Sequence, residues 1–143
     1  MVKKGLDFMG KIPWIIFFIA IICISGCIGP EEESTPENTI QKYYEGLNER
    51  NAQKVLDTLS QDVIDNAGGE KAILASLEGT LSVLEEDKLI FEIDELSSSI
   101  KGFQATVSAT LRLYPMGSSD VSMIPYTFEL VLENEKWKIK DIS

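Results

Sequence analysis

From Phe103 to Leu113 every second residue is apolar: Phe103, Ala105, Val107, Ala109, Leu111 and Leu113 alternate with Gln104, Thr106, Ser108, Thr110 and Arg112. That period of two fits a pleated strand with one buried and one wetted face. The same alternation recurs around it. Leu89, Phe91 and Ile93 alternate with Ile90, Glu92 and Asp94; Ile124, Tyr126, Phe128, Leu130 and Leu132 stand against Thr127, Glu129 and Glu133; Trp137 and Ile139 stand against Lys136, Lys138 and Lys140. Strands of this kind belong to an antiparallel sheet covered on one side. Asn134-Glu135 marks a tight hairpin and Pro115 to Asp120 a looser one. Pro125, which has no amide hydrogen to give, belongs at an edge or a bulge.

The cover comes from upstream. Thr35 is a good N-cap, Pro36 suits a first helical position, and Glu37 complements the positive helix end. Ile40, Tyr43, Tyr44 and Leu47 then fall at helical spacing, with Tyr44 as a helix-flank packing residue. Asn51 caps a second short helix carrying Val55, Leu56 and Leu59. After the break at Asn66-Ala67-Gly68-Gly69, a third places Ile73, Leu77, Leu81 and Leu84 on one stripe, interrupted by the helix-weakening Gly79. The expected class is α+β: three N-terminal helices packed on a curved four-stranded antiparallel sheet, spanning residues 36–143.

Ahead of that domain lie a basic start, an apolar run from Ile12 to Ile24, and small residues before Cys27. This is the layout of a secretory signal peptide. As a membrane helix, Ile12 to Ile28 would reach only about 26 Å at ~1.5 Å per residue, short of a ~30 Å hydrocarbon core. Lysines before the run and Glu31, Glu32 and Glu33 after it suit a chain that remains outside. Ile24-Ser25-Gly26-Cys27 resembles a lipobox, the cleavage and lipid-attachment motif of prokaryotic lipoproteins, with isoleucine where leucine is commonest. The resemblance implies a signal peptide over residues 1–26, removed together with Cys23. It also implies lipid attachment at Cys27, and a membrane-anchored protein facing the extracytoplasmic side. Residues 27–35 then form the lipidated cysteine and a polar tether. From Ile28 to Thr35 that tether reaches at most ~26–29 Å.

"IQKYYEGLNERNAQKVLDTLS", from Ile40 to Ser60, resembles the opening helix pair of the nuclear transport factor 2-like superfamily, in which a tyrosine-bearing helix ends in Leu-Asn. "EKWKIKDI", from Glu135 to Ile142, resembles its closing strand. Together they imply a cone with a pocket inside, and a superfamily of enzymes and non-enzymes alike. Among its ketosteroid isomerases, a tyrosine on the opening helix donates to an oxyanion and an aspartate moves the proton. By that resemblance Tyr43 stands at the tyrosine. Ungapped counting puts Ala67 at the aspartate, with Asp65 two residues earlier. Tyr43 reads either as a pocket donor or as an amphipathic core residue. Trp137 either lines a pocket mouth or plugs the cone. Ala105 and Ala109 leave volume on a bulky face, for a close helix or for a cavity.

The charge narrows the partners. Residues 27–143 carry ten Lys/Arg against twenty-two Asp/Glu, a surface that phosphate backbones would repel, so no nucleic acid is expected. Without histidine or a free mature cysteine, no metal or thiol site is expected and no cofactor is implied. Three functions stay open. The first is a non-enzymatic accessory or small-ligand-binding domain, taking an apolar or carboxylate ligand or another envelope protein. The second is an isomerase- or cyclase-type enzyme using Tyr43 and a carboxylate such as Asp65. The third is a protein–protein module using the polar sheet face.

Overall fold

Helix α1, Pro36–Asn48, starts where a side chain takes up a free amide: the Thr35 hydroxyl accepts the Asn38 N–H at 3.1 Å. The computed structural model describes residues 34–143, so Cys23, Cys27 and the tether up to Glu33 lie outside the described residues. Ile40, Tyr44 and Leu47 are buried along α1, while Tyr43 is half-buried. Tyr44 is thus a core residue, where the sequence pattern places it on the flank. The helix ends in a Schellman turn: the Arg50 amide bonds the Leu47 carbonyl and the Asn51 amide bonds the Gly46 carbonyl, with Arg50 left-handed at φ 56°.

The expected second helix is two. Helix α2, Ala52–Leu56, stops before Asp57, and α3, Gln61–Asn66, starts after Ser60. Between them Leu59 forms a parallel bridge with Ile139: the Ile139 amide donates to the Thr58 carbonyl at 2.7 Å, and the Ser60 amide to the Ile139 carbonyl at 2.8 Å. Backbone groups committed to the sheet cannot also close helical turns, so the pattern breaks there. The described residues therefore hold four helices, not three. Helix α4, Glu70–Glu86, buries Ile73, Leu81 and Leu84, and packs chiefly on α2.

Strands β1 (Leu89–Lys101), β2 (Gln104–Pro115), β3 (Ser122–Glu133) and β4 (Lys136–Ile142) form an antiparallel meander in that order. A bulge at Asp94 carries β1 beyond its legible alternation. Ile93 pairs with Leu111 and Leu96 with Ala109, so both face the helices despite their odd spacing. Phe103 leaves its expected place in β2: it sits in the β1–β2 turn and is 73% exposed, because no strand or helix covers that end of the row. Asn134 and Glu135, at φ 49° and 65°, make the tight β3–β4 turn that their sequence suggests. Pro125 lies on β3 beyond the last β4 pair, Phe128–Ile142, so its missing amide hydrogen interrupts no ladder on that side.

Each sheet edge is tied down at one or more points by the preceding chain. The amide of Asn48 bonds Phe91 twice, donating to its carbonyl at 2.8 Å and accepting its N–H at 2.9 Å. At β4, the Trp137 N–H reaches the Ser34 hydroxyl and the Thr39 hydroxyl donates to the Trp137 carbonyl. These contacts satisfy polar groups that would otherwise invite pairing with another chain. Beneath the helices, Val107, Leu111, Phe128, Leu130 and Ile139 are almost wholly buried against Ile40 and Val55.

Candidate functional site

The interior between α1 and the sheet is aromatic. Tyr43 and Tyr44 meet edge to face with centroids 5.0 Å apart, and Tyr44 packs on Phe128 at 6.0 Å and Phe91 at 5.5 Å. Phe128 also contacts Tyr43 and Tyr126, each at 6.3 Å. Such pairs add to burial by aligning ring edges with ring faces. Helical spacing brings Tyr43 and Tyr44 to this point, and strand parity brings Tyr126, which stands opposite Ala109.

Three hydroxyls come within electrostatic range of one another here. Burial raises the Tyr43 hydroxyl above its ordinary value, and Tyr126 raises it further. Tyr44 is raised in the same way by burial, then by Tyr43 and by Tyr126. Among the described residues no buried side-chain nitrogen or oxygen lacks a partner, so these hydroxyls reach water-accessible space. Neutral phenols in such a place act as hydrogen-bond donors to an acceptor oxygen.

The same shifts have an alkaline signature. Because folding raises these two groups, the unfolded chain loses their protons first as pH climbs past the ordinary value of about 10. Stability is then complete below that pH and declines as pH rises from there toward the folded values. Urea unfolding across the alkaline range should show this decline, and a shallower one in Tyr44→Phe. An equal slope in both proteins would contradict the assignment.

The other sequence candidates lie elsewhere or serve packing. Asp65 is exposed on α3, where it accepts the Gln61 amide at 2.9 Å; α3 packs on α4 and β4. It is not brought together with Tyr43. Ala105 and Ala109 are almost wholly buried in β2, on the sheet that carries α1, and Ala109 also lines a depression at Tyr126. Trp137 is buried by the start of α1, its backbone held by Ser34 and Thr39. Tyr126 is a site residue that strand alternation alone does not single out; its signal is a hydroxyl on an otherwise apolar face.

Among the described residues, three surface depressions stand out. An open groove of about 1170 Å³ runs between the α1–α2 turn and α4, past Arg50 and Glu85. A second, of about 610 Å³, opens at the sheet by Ser97, Ser108, Thr110 and Pro125, and is lined also by Leu96, Ala109 and Tyr126. The third, of about 370 Å³, includes Asp57 and Lys138, whose ammonium donates to the Asp57 carbonyl. Burial, then Lys136, holds Lys138 below the ordinary lysine value. None of the three is lined by Tyr43. Among the described residues no group of three or more carboxylate side chains is placed to hold a metal ion.

The arrangement of helices over a curved meander is shared with solved structures. A nuclear transport factor 2-like protein of unknown function from Pseudomonas putida superposes with a TM-score of 0.58 at 14% identity, covering 71% of this chain and 77% of its own. One from Novosphingobium aromaticivorans, with a cystatin-like fold, gives 0.58 at 16% identity, covering 83% and 82%. The fold is nuclear transport factor 2-like. A candidate ketosteroid isomerase from Shewanella frigidimarina has the same nuclear transport factor 2-like frame, with a TM-score of 0.56 at 19% identity over 73% of this chain and 89% of its own. No protein-family model and no curated protein matches the sequence.

Proposed function

We propose that this is a membrane-anchored extracytoplasmic lipoprotein whose nuclear transport factor 2-like domain binds a small ligand without transforming it. The observation that carries the binding role is the depression of about 610 Å³ lined by Tyr126 and Ala109, with Tyr126 joined through Phe128 to Tyr43 and Tyr44. Aromatic walls with a few aimed donors suit a compact apolar molecule bearing one carbonyl or carboxylate oxygen. Burial and then the Tyr126 phenol raise Tyr43, and no carboxylate among the described residues contributes to that shift. A proton-moving pair needs a base within hydrogen-bond reach of the substrate, and Asp65 lies on the outer side of α3. Donors without a base favour holding over turnover. This weighs against an isomerase-type reaction, the activity named for the Shewanella frigidimarina protein.

Anchoring is supported by Ile24-Ser25-Gly26-Cys27 at the end of the apolar run, and by the acidic tether after it. One acyl chain binds a bilayer only marginally, so a stable hold requires Cys27 to carry more than one. The test has two arms on the protein expressed with its full N-terminal segment. Intact mass should show loss of residues 1–26 plus added lipid, and Cys27→Ser should abolish both changes. Thermal unfolding should shift upward with octanoate or benzoate, and the shift should shrink in Tyr43→Phe. A Cys27→Ser protein that still loses residues 1–26 and gains lipid contradicts the anchor, whereas a ligand shift indifferent to Tyr43 contradicts the site.

A further inference from the structure

The β1–β2 turn is an apolar tip on an otherwise acidic chain. Gly102, at φ 60°, and Phe103 form a two-residue turn between the paired Lys101 and Gln104. Glycine at the first corner is what a II′ hairpin turn requires. Phe103 is 73% exposed and Ile100 54% exposed, with Lys101 between them. Nothing in the packing of the domain calls for a phenylalanine at that corner, since it adds nothing to the core.

The position of the tip relative to the chain's entry gives it a neighbour. The Leu132 amide donates to the Phe103 carbonyl, Leu132 pairs with Trp137, and the Trp137 N–H bonds Ser34, the first described residue. Phe103 and Ser34 therefore end one row across the sheet, about 14 Å apart at ~4.8 Å per strand step. The described chain begins, at Ser34, on this end of the domain. From Ile28 to Thr35 the tether reaches at most ~26–29 Å, so an anchored Cys27 keeps this end of the domain within about that distance of the surface that holds it.

We propose that the Ile100–Phe103 tip contacts the lipid bilayer, placing Phe103 and Ile100 among the headgroups and upper acyl chains and Lys101 against lipid phosphates. An aromatic and an aliphatic side chain flanking a cation is the chemistry of an interfacial contact. The other end of the sheet is also apolar, at Met116 and Met123, but it lies away from the chain's entry. The contact rests on the anchored reading above. It orients the domain, so that the inserted tip faces the bilayer and the β2–β3 end faces away.

The test uses the full-length, lipid-modified protein in vesicles of phosphatidylethanolamine and phosphatidylglycerol. Phe103→Cys and Met116→Cys are each labelled with an environment-sensitive fluorophore. The label at 103 should emit further to the blue and be quenched several-fold more by headgroup-proximal spin-labelled lipid than the label at 116. Retention on vesicles with equal quenching at the two positions, or stronger quenching at 116, overturns the contact and leaves the anchor standing. Failure of retention with Cys27 unmodified by mass overturns both.

Discussion

Arg50→Ala should lower the unfolding free energy by about 3 kcal/mol, the order expected when several part-buried carbonyls lose one charged donor. The Arg50 guanidinium donates to the carbonyls of Leu47 at 2.8 Å, Leu84 at 3.0 Å and Leu89 at 2.7 Å, and to Glu85 at 3.0 Å. Two of those carbonyls close the C-terminal turns of α1 and α4, where the helix dipole is negative and acceptors are left over. The third opens β1. One side chain thus fastens both long helices to the first strand. The exposed Glu85 pair adds little of this, since surface ion pairs contribute ~0–1 kcal/mol. Arg50→Gly separates backbone from side chain: it relieves the left-handed residue yet removes the guanidinium. It should fall between wild type and Arg50→Ala in a urea titration. Equal stability of wild type and Arg50→Ala would show that water replaces the guanidinium without loss.

Gly46→Ala should destabilise by roughly 1–2 kcal/mol, overpacking of ~1–3 kcal/mol offset in part by alanine's better helix propensity. A Cβ on Gly46 would lie 2.7 Å from Val55 Cγ2 and 3.0 Å from the Val55 nitrogen. Val55 is wholly buried, so relief requires α1 and α2 to part. Gly79→Ala makes the same chemical change in α4 with open space around the new methyl. It should stabilise by up to ~1 kcal/mol, because only propensity and chain entropy act there. Opposite shifts of the two thermal midpoints are the expected result. A destabilised Gly79→Ala, or a stabilised Gly46→Ala, would contradict the packing described.

The sheet is legible in the sequence because each strand buries one face, which writes a period of two into the chain. Thr35 and Asn51 announce their helices in the same local way, and their side chains do cap them. What escapes a local reading depends on a distant partner. Thr58 and Ser60 look like helix interior until Ile139 takes up their backbone groups. Phe103 follows the strand alternation, yet the row ends before anything covers it. Asp94 looks like the end of β1 and is a bulge within it.

The site was half legible. Tyr43 stands out on α1, and the small Ala109 hints that something bulky must approach it. Only the register between β2 and β3 puts Tyr126 opposite Ala109, and only packing turns Tyr44 inward to join them. Asp65 is drawn into the sequence reading by counting along the chain. The break between α2 and α3 leaves it on the outer side of α3 instead.

The central claim, a donor-lined ligand site without a base, is tested most directly by calorimetric titration of octanoate into wild type, Tyr43→Phe and Tyr126→Phe. Saturable binding by wild type, weakened about tenfold in each variant, corresponds to ~1.4 kcal/mol per lost hydrogen bond. Binding of equal strength in all three proteins, or none in wild type, would contradict it.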